Sequence, residues 1–351
     1  MDWLTPSSLL YWSIIIYLTA AIVAIFFYRH PHLCTLFAQS GCIFASALGA
    51  ASALKMILFD QEKLIITPFE STVPFISISM TLDALSAFFI LILSILVCCV
   101  SLYSIGYLKH YYNKRNVSAF HALYIGFILS MIFVFTAGNA VFFFIAWEIM
   151  TVISYFLVVF ESEDVNEKAG LIYIVMTHIG AAFLMIAFMI MFVYTKSFDI
   201  FGSSEAIPAT AKSLMFVFFL IGFGVKAGVV PVHVWLPYAH PAAPSNVSAL
   251  MSGIMIKTAI YGLIRFILCY LNVHNTWWGI LILCIGIVSA ILGVAYALME
   301  HNIKRLLAFH SVENIGIILI GLGISFVAFS QGNGILGGLA ISASLLHTFN
   351  H

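Results

Sequence analysis

Residues 220–268 read LIGFGVKAGVVPVHVWLPYAHPAAPSNVSALMSGIMIKTAIYGLIRFIL. Two apolar runs each hold a lysine, Lys226 and Lys257, and between them fall Pro231, Pro237, Pro241 and Pro244, four of the nine prolines in the chain. A helix needs ~20 mostly apolar residues to cross ~30 Å of hydrocarbon. A charged side chain at its centre costs roughly 2.5–3.5 kcal/mol on insertion scales, so such residues normally face an interior or a wet cavity. Each proline removes a backbone donor and interrupts regular helix. At membrane depth such a break is tolerated only where the backbone packs in protein or lines a cavity. The stretch predicts an all-α integral membrane protein with a broken helix near Pro231 and its lysines turned inward.

The rest of the chain agrees. Of 351 residues, 63% are apolar and 8% charged, against ~25% charged in ordinary soluble domains. Ten runs of spanning character lie at roughly 9–28, 33–57, 82–108, 118–137, 139–160, 170–194, 213–230, 246–268, 277–299 and 303–327, and an eleventh opens near Gly334 and stops at His351. This makes a polytopic bundle of about eleven transmembrane helices. The segment around 58–80, with Asp60, Glu62, Lys63 and Glu70 beside the β-branched LIITPF and VPFISI, is expected to form a small extramembrane hairpin. The start carries Asp2 and no Lys or Arg, so the first run is expected to stay as an anchor. Seven basic residues follow odd-numbered helices and five follow even ones, a weak bias that places odd loops in the cytoplasm and the N-terminus outside. Fourteen Lys+Arg balance fourteen Asp+Glu, and nothing suggests a nucleic-acid footprint. The six cysteines, Cys34, Cys42, Cys98, Cys99, Cys269 and Cys284, lie in apolar runs and read as small buried hydrophobes.

Function starts from the ionisable residues inside the runs. Glu148 lies in the fifth (AWEIMTV), Lys226 in the seventh and Lys257 in the eighth. His310 and Glu313 share a face of the tenth, three residues apart. His347 and His351 stand four apart in the eleventh, and His233 and His240 flank the proline break. A structural reading has the charges merely locking helices together, but small residues do that at lower cost, and a buried ion pair is weak support for stability. Burial of a lysine among apolar groups disfavours its charged form, and a nearby carboxylate restores it, so a Glu148–Lys226 pair would act as a proton switch. His178 in the sixth run stands between a hydrogen-bonded core histidine and a relay. Asp83 suits the positive end of a helix, and Arg265, near the end of its run, is expected to snorkel to the interface. The acidic loop with Glu161, Glu163, Asp164 and Glu167 reads as a solvated face or a docking point for a partner subunit. The HTFNH pair lacks the glutamate of HExxH. No metal, no cofactor and no catalytic residue is expected in this chain.

These residues resemble a known family. A glutamate in the fifth helix (AWEIMTVISYFL), a lysine before a broken seventh (GVKAGVVPVHVWLPYAHPAAPSNVSAL) and a lysine in the eighth (IKTAIYGLIRF) are similar to those of the proton-translocating membrane subunits of respiratory complex I and of multisubunit sodium/proton antiporters. Within that superfamily YALMEHNIKRLLAFHSVENIGIILIGLG looks most like the branch of formate hydrogenlyase subunit 3 and hydrogenase-4 component B, through the glutamate of HSVENIG. The resemblance implies a proton-transfer role for Glu148 and Lys226 as a coupled pair, Lys257 as central relay, His233 at the break, and His310, Glu313, His347 and His351 as an onward polar axis. It implies two inverted five-helix repeats, so that 1–117 holds three N-terminal helices and the hairpin, 118–268 the first repeat and 277–351 a truncated second one. The family continues past His351, and a fragment or early stop is expected. The implied setting is the inner (cytoplasmic) membrane, as a subunit of a redox-driven complex with other membrane subunits and a peripheral [NiFe]-hydrogenase or dehydrogenase arm, moving protons. The alternatives are a sodium/proton antiporter subunit and a non-transporting scaffold or fragment.

Overall fold

The computed structural model describes residues 5–59, 64–69, 78–161, 164–273 and 275–351. Among these residues ten helices are long and apolar enough to cross a membrane. They are α1 (Pro6–Phe26), α2 (Pro31–Leu58), α3 (Ala84–Tyr107, extended by a 3₁₀ turn to Tyr111), α4 (Val117–Thr136), α5 (Ala140–Val158), α6 (Asp164–Thr195), α7 (Ala209–Ala227), a composite span (Ser245–Tyr270), α11 (Thr276–Met299) and α12 (Ile303–Ser330). A short α8 (Leu236–Ala242) precedes the composite span, and α13 (Gly334–Asn350) is a shorter apolar helix. The composite span joins α9 (Ser245–Leu250), a π segment (Met251–Met255), α10 (Ile256–Gly262) and a second π segment (Leu263–Tyr270). The chain is a multi-pass membrane protein.

Local chemistry fixes the boundaries. Thr5, Asp83, Asn116, Asn139, Asn302 and Asn333 each cap a helix by accepting from a backbone N–H of its first turn. Asp83 accepts from Ser86 N at 2.9 Å, the structural role its position suggested. The sixth helix starts at Asp164, ahead of the expected residue 170, with Asp164 and Glu167 in its first turn, where carboxylates favour the positive dipole end. Strand β1 (Leu64–Phe69) pairs antiparallel with β2 (Ile78–Leu82), Leu64 opposite Leu82. Asp60, Glu62, Lys63 and Glu70 lie outside the described residues.

The chain divides into two compact units. The first comprises Met1–Glu167 and Ala243–Met255. In it α2 packs between α1 and α3, and α4 against α5. His121 of α4 is fully buried against α2, with its ring nitrogens 3.1 Å from Gln39 Nε2 and 3.1 Å from Thr35 Oγ1. The second unit comprises Lys168–Ala242 and Ile256–His351. Here α7 packs on α10, α8 on α12, and α12 on both α11 and α13.

The α11–α12 contact is a glycine seam. A Cβ at Gly286 would lie 2.8 Å from Ile320 N and 2.9 Å from Gly316 O, and one at Gly293 would lie 2.6 Å from Glu313 N. The two backbones touch because small residues let them approach.

Two expectations are corrected. Cys34 and Cys42 are buried, but Cys99, Cys269 and Cys284 are exposed and Cys98 is half-buried; lipid is as apolar as a core, so a thiol suits either side of a span. Arg265 does not snorkel outward. It is 4% exposed, its Nε donates to Tyr261 Oη at 3.1 Å, and its guanidinium lies 4.8 Å from the Phe201 ring centroid. Stacking on aromatic faces offsets its desolvation.

Candidate functional site

Lys226 occupies the last turn of α7, at the negative end of the helix dipole, which favours a cation. The helix stops at Gly228, whose φ of 76° is left-handed and suits glycine. Gly228 N and Val229 N donate back to Gly224 O at 3.0 and 3.1 Å. The chain then turns, and Trp235 folds onto the helix it has just left. Its indole donates to Val225 O at 2.7 Å, and its ring packs 4.9 Å from that of Tyr173 on α6. Lys226, only 1% exposed, donates to Tyr173 Oη at 3.0 Å. The proline-rich break thus builds the wall of the pocket that holds the lysine. Trp235→Phe would remove the shorter of two bonds to the Val225 carbonyl, which also accepts from Gly228 N at 3.2 Å, so a loss of ~0.5–1.5 kcal/mol is expected, read as a lower unfolding temperature of the detergent-solubilised protein.

The break is stitched to later helices. Val230 N donates to Ser289 Oγ of α11 at 3.0 Å, and half-buried His233 stacks 6.4 Å from Tyr296. His240 is buried beside Trp235. Lys304 Nζ donates to Pro241 O at 3.3 Å, one of the carbonyls around the prolines.

Lys257 stands in the first turn of α10, 1% exposed, on the helix that packs against α7. Lys257 lies in electrostatic reach of both His347 and His351, and His351 in turn in reach of His240. On α12, His310 Nδ1 and Glu313 Oε2 are 2.5 Å apart. Asn314 Nδ2 donates to His310 O at 2.7 Å, which turns its Oδ1 toward His347 Nε2 at 2.9 Å. An amide oxygen only accepts, so Nε2 carries the hydrogen in this arrangement. Lys257, His347, Asn314, His310 and Glu313 form a polar path through the second unit. Asn314 links the His347 ring to the main-chain carbonyl of His310, not to its imidazole.

Glu148 belongs to the first unit, half-buried on α5 beside buried Trp147. His178 is exposed on α6 with Nδ1 2.8 Å from Ile174 O, outside the buried set. Glu161 of the acidic loop is held rather than simply solvated: Tyr111 Oη donates to it at 2.5 Å, Tyr111 and Tyr107 hydroxyls are 3.2 Å apart, and Ser245 N donates to Tyr107 Oη at 3.1 Å. The Arg115 guanidinium also bonds the Glu161 carbonyl.

Sequence reading passed over Tyr173, Trp235, Asn314 and His121. Asn314 carried a signal, standing four residues after His310 on the same helix face. Trp235, between two prolines and two residues past His233, carried another.

Residues 137–337 match the family model described as NADH:quinone oxidoreductase/Mrp antiporter, TM. Among curated proteins the chain is 37% identical to hydrogenase-4 component B of Escherichia coli (strain K12), over 98% of this chain and 51% of the relative. It is 29% identical to formate hydrogenlyase subunit 3 of the same strain, over 88% of this chain and 46% of the relative. The chain therefore spans about half the length of these relatives. Its fold superposes on a chain of the Mrp complex from Dietzia sp. DQ12-45-1b with a TM-score of 0.79, at 22% identity, over 97% of this chain and 36% of that one. With more than half of its residues inside the family model, and the expected spans and broken helix in place, the chain belongs to the NADH:quinone oxidoreductase/Mrp antiporter transmembrane family.

Proposed function

We propose that this chain is a proton-translocating part of a redox-driven membrane complex of the [NiFe]-hydrogenase or formate hydrogenlyase type. The observation that carries the reading is the burial of two lysines, Lys226 and Lys257, each 1% exposed, on packed helices beside a helix break. Ionisable groups at that depth are expensive and mark ion pathways. The likeness to hydrogenase-4 component B and formate hydrogenlyase subunit 3 supports the choice of redox partner. In the proposed cycle Glu148 sets the proton affinity of Lys226. A shift in the population of that pair, biased by the partner's redox state, releases a proton through ordered water to Lys257 and on towards His347, His310 and Glu313, with Asn314 orienting the His347 ring. His233 lines the break, and His351 belongs to the same axis. The complex would sit in the inner membrane with the N-terminus outside, beside other membrane subunits and a peripheral enzyme arm. In the domain reading, 118–268 forms the first five-helix repeat and 277–351 part of a second.

The test places Glu148→Ala and Lys226→Ala in the full-length assembled complex in vesicles. Loss of proton uptake coupled to redox turnover is expected in each, and unchanged translocation in both would end the proposal. The family description also covers Mrp antiporters, which favours a second reading as a sodium/proton antiporter subunit. Sodium-dependent transport with no redox enzyme co-purifying would select it.

A further inference from the structure

The buried side chain of Lys226 is held at a phenol. Its Nζ donates to Tyr173 Oη at 3.0 Å, and the same nitrogen lies 5.3 Å from the centre of the Tyr173 ring, so the contact runs through the oxygen rather than the π face. Tyr173 is fully buried. A hydroxyl taken that far from water costs free energy unless it is bonded. A ring alone would be supplied by phenylalanine, which this chain uses 32 times against 15 tyrosines. Elsewhere between α6 and α7 it does so, pairing Phe188 with Phe219 at 5.5 Å and Phe183 with Phe218 at 5.8 Å. The oxygen of Tyr173 is therefore the feature that calls for a partner, and it meets the nitrogen of Lys226.

The frame around this bond is tight. A Cβ on Gly180 would stand 3.1 Å from Gly222 O, and one on Gly222 would stand 2.8 Å from Gly180 O. Main chain thus touches main chain between α6 and α7, two turns from Tyr173 and one turn from Lys226. On its other side the phenol packs 4.9 Å from the Trp235 ring, which is itself anchored on Val225 O. The chemistry of the two rings separates their roles. An indole N–H only donates, and that of Trp235 is committed to Val225 O. A phenol hydroxyl donates and accepts. While its oxygen accepts from Nζ, its own hydrogen is turned to a further acceptor, and once Lys226 is a neutral amine the same hydrogen can turn back to the nitrogen lone pair. Tyr173 fits both states of the lysine without moving a heavy atom.

We propose that Tyr173 is the proton relay through which Lys226 discharges. In one concerted step an Nζ–H bond breaks and an Oη–H bond forms, while the original Oη–H bond breaks and its proton passes to ordered water. Lys226 is left a neutral amine and Tyr173 a neutral phenol, and the water carries the charge onward. The proposal rests on the reading of Lys226 as a proton carrier.

The test measures proton uptake during redox turnover by the full-length assembled complex in vesicles, with a native gel to report assembly. Tyr173→Phe keeps the ring against Trp235 and removes only the oxygen. It is expected to assemble and to slow uptake about fivefold, the worth of one net hydrogen bond. A ring-fluorinated tyrosine in place of Tyr173 keeps the shape and the bond but has a less basic oxygen, and is expected to slow uptake about twofold. A ring with a purely structural duty would not respond to that change, and this protein decides the matter where Tyr173→Phe does not assemble. Wild-type uptake in both proteins, with Lys226→Ala inactive, would overturn the relay and leave the lysine reading standing. Slow uptake in Tyr173→Phe with wild-type uptake in the fluorinated protein would show a holding role and overturn the relay as well. Unchanged uptake in Lys226→Ala would overturn both.

Discussion

Lys257→Met in the assembled full-length protein is expected to abolish proton movement while leaving the helices inserted. Methionine keeps the length and apolar stem of lysine and packs well in irregular cores, so the close contacts of α10 with α7 survive. What disappears is the ammonium within electrostatic reach of His347 and His351. A relay that loses its central proton carrier is expected to slow at least tenfold, or ~1.4 kcal/mol on the barrier. The measurement is acidification of reconstituted vesicles, with a native gel to report assembly. Wild-type rates in a normally assembled variant would show that the lysine carries no proton. An assembly defect with intact transport would point the same way.

The second large effect concerns packing. Gly286→Leu is expected to lower the unfolding temperature sharply, because the obstructing atoms belong to the backbone of α12 rather than to a side chain that can turn aside. A mere Cβ would already stand 2.8 Å from Ile320 N. Overpacking in cores costs roughly 1–3 kcal/mol and sometimes more; here relief requires the helices to part along their length. Gly286→Ala should show a smaller shift in the same direction. A melting curve for Gly286→Leu that overlays the wild type would mean that the seam contributes little.

Much of this architecture was readable from hydropathy, because the bilayer demands long apolar segments wherever the chain crosses. The buried Lys226 and Lys257 were equally readable, since an ionised group in such a segment is costly and therefore rare. Quieter partners were not. Tyr173, Trp235 and Asn314 carry no charge, and an uncharged polar atom in an apolar run leaves little trace in composition. Side chains facing lipid and side chains facing protein are both apolar in a membrane helix, so no amphipathic contrast tells one face from the other. That is why Cys99, Cys269 and Cys284 were placed on the wrong side. Arg265 shows the same limit: a position near the end of a run suggested escape to water, while Phe201, more than sixty residues earlier, supplies the ring that keeps it inside.

The glycine seam also bars sliding of α11 along α12. Gly279, Gly286 and Gly293 recur every seven residues on α11, and Gly316 and Gly323 share that interval on α12, so the two rods are keyed together over several turns. Ratcheting one past the other by a turn would bring Ile282 or Leu283 against main chain where only hydrogen now fits. Glu313, whose own backbone abuts Gly293, is thereby fixed to α11, and the proline-rich break is tied to that same helix through Val230 N and Ser289 Oγ.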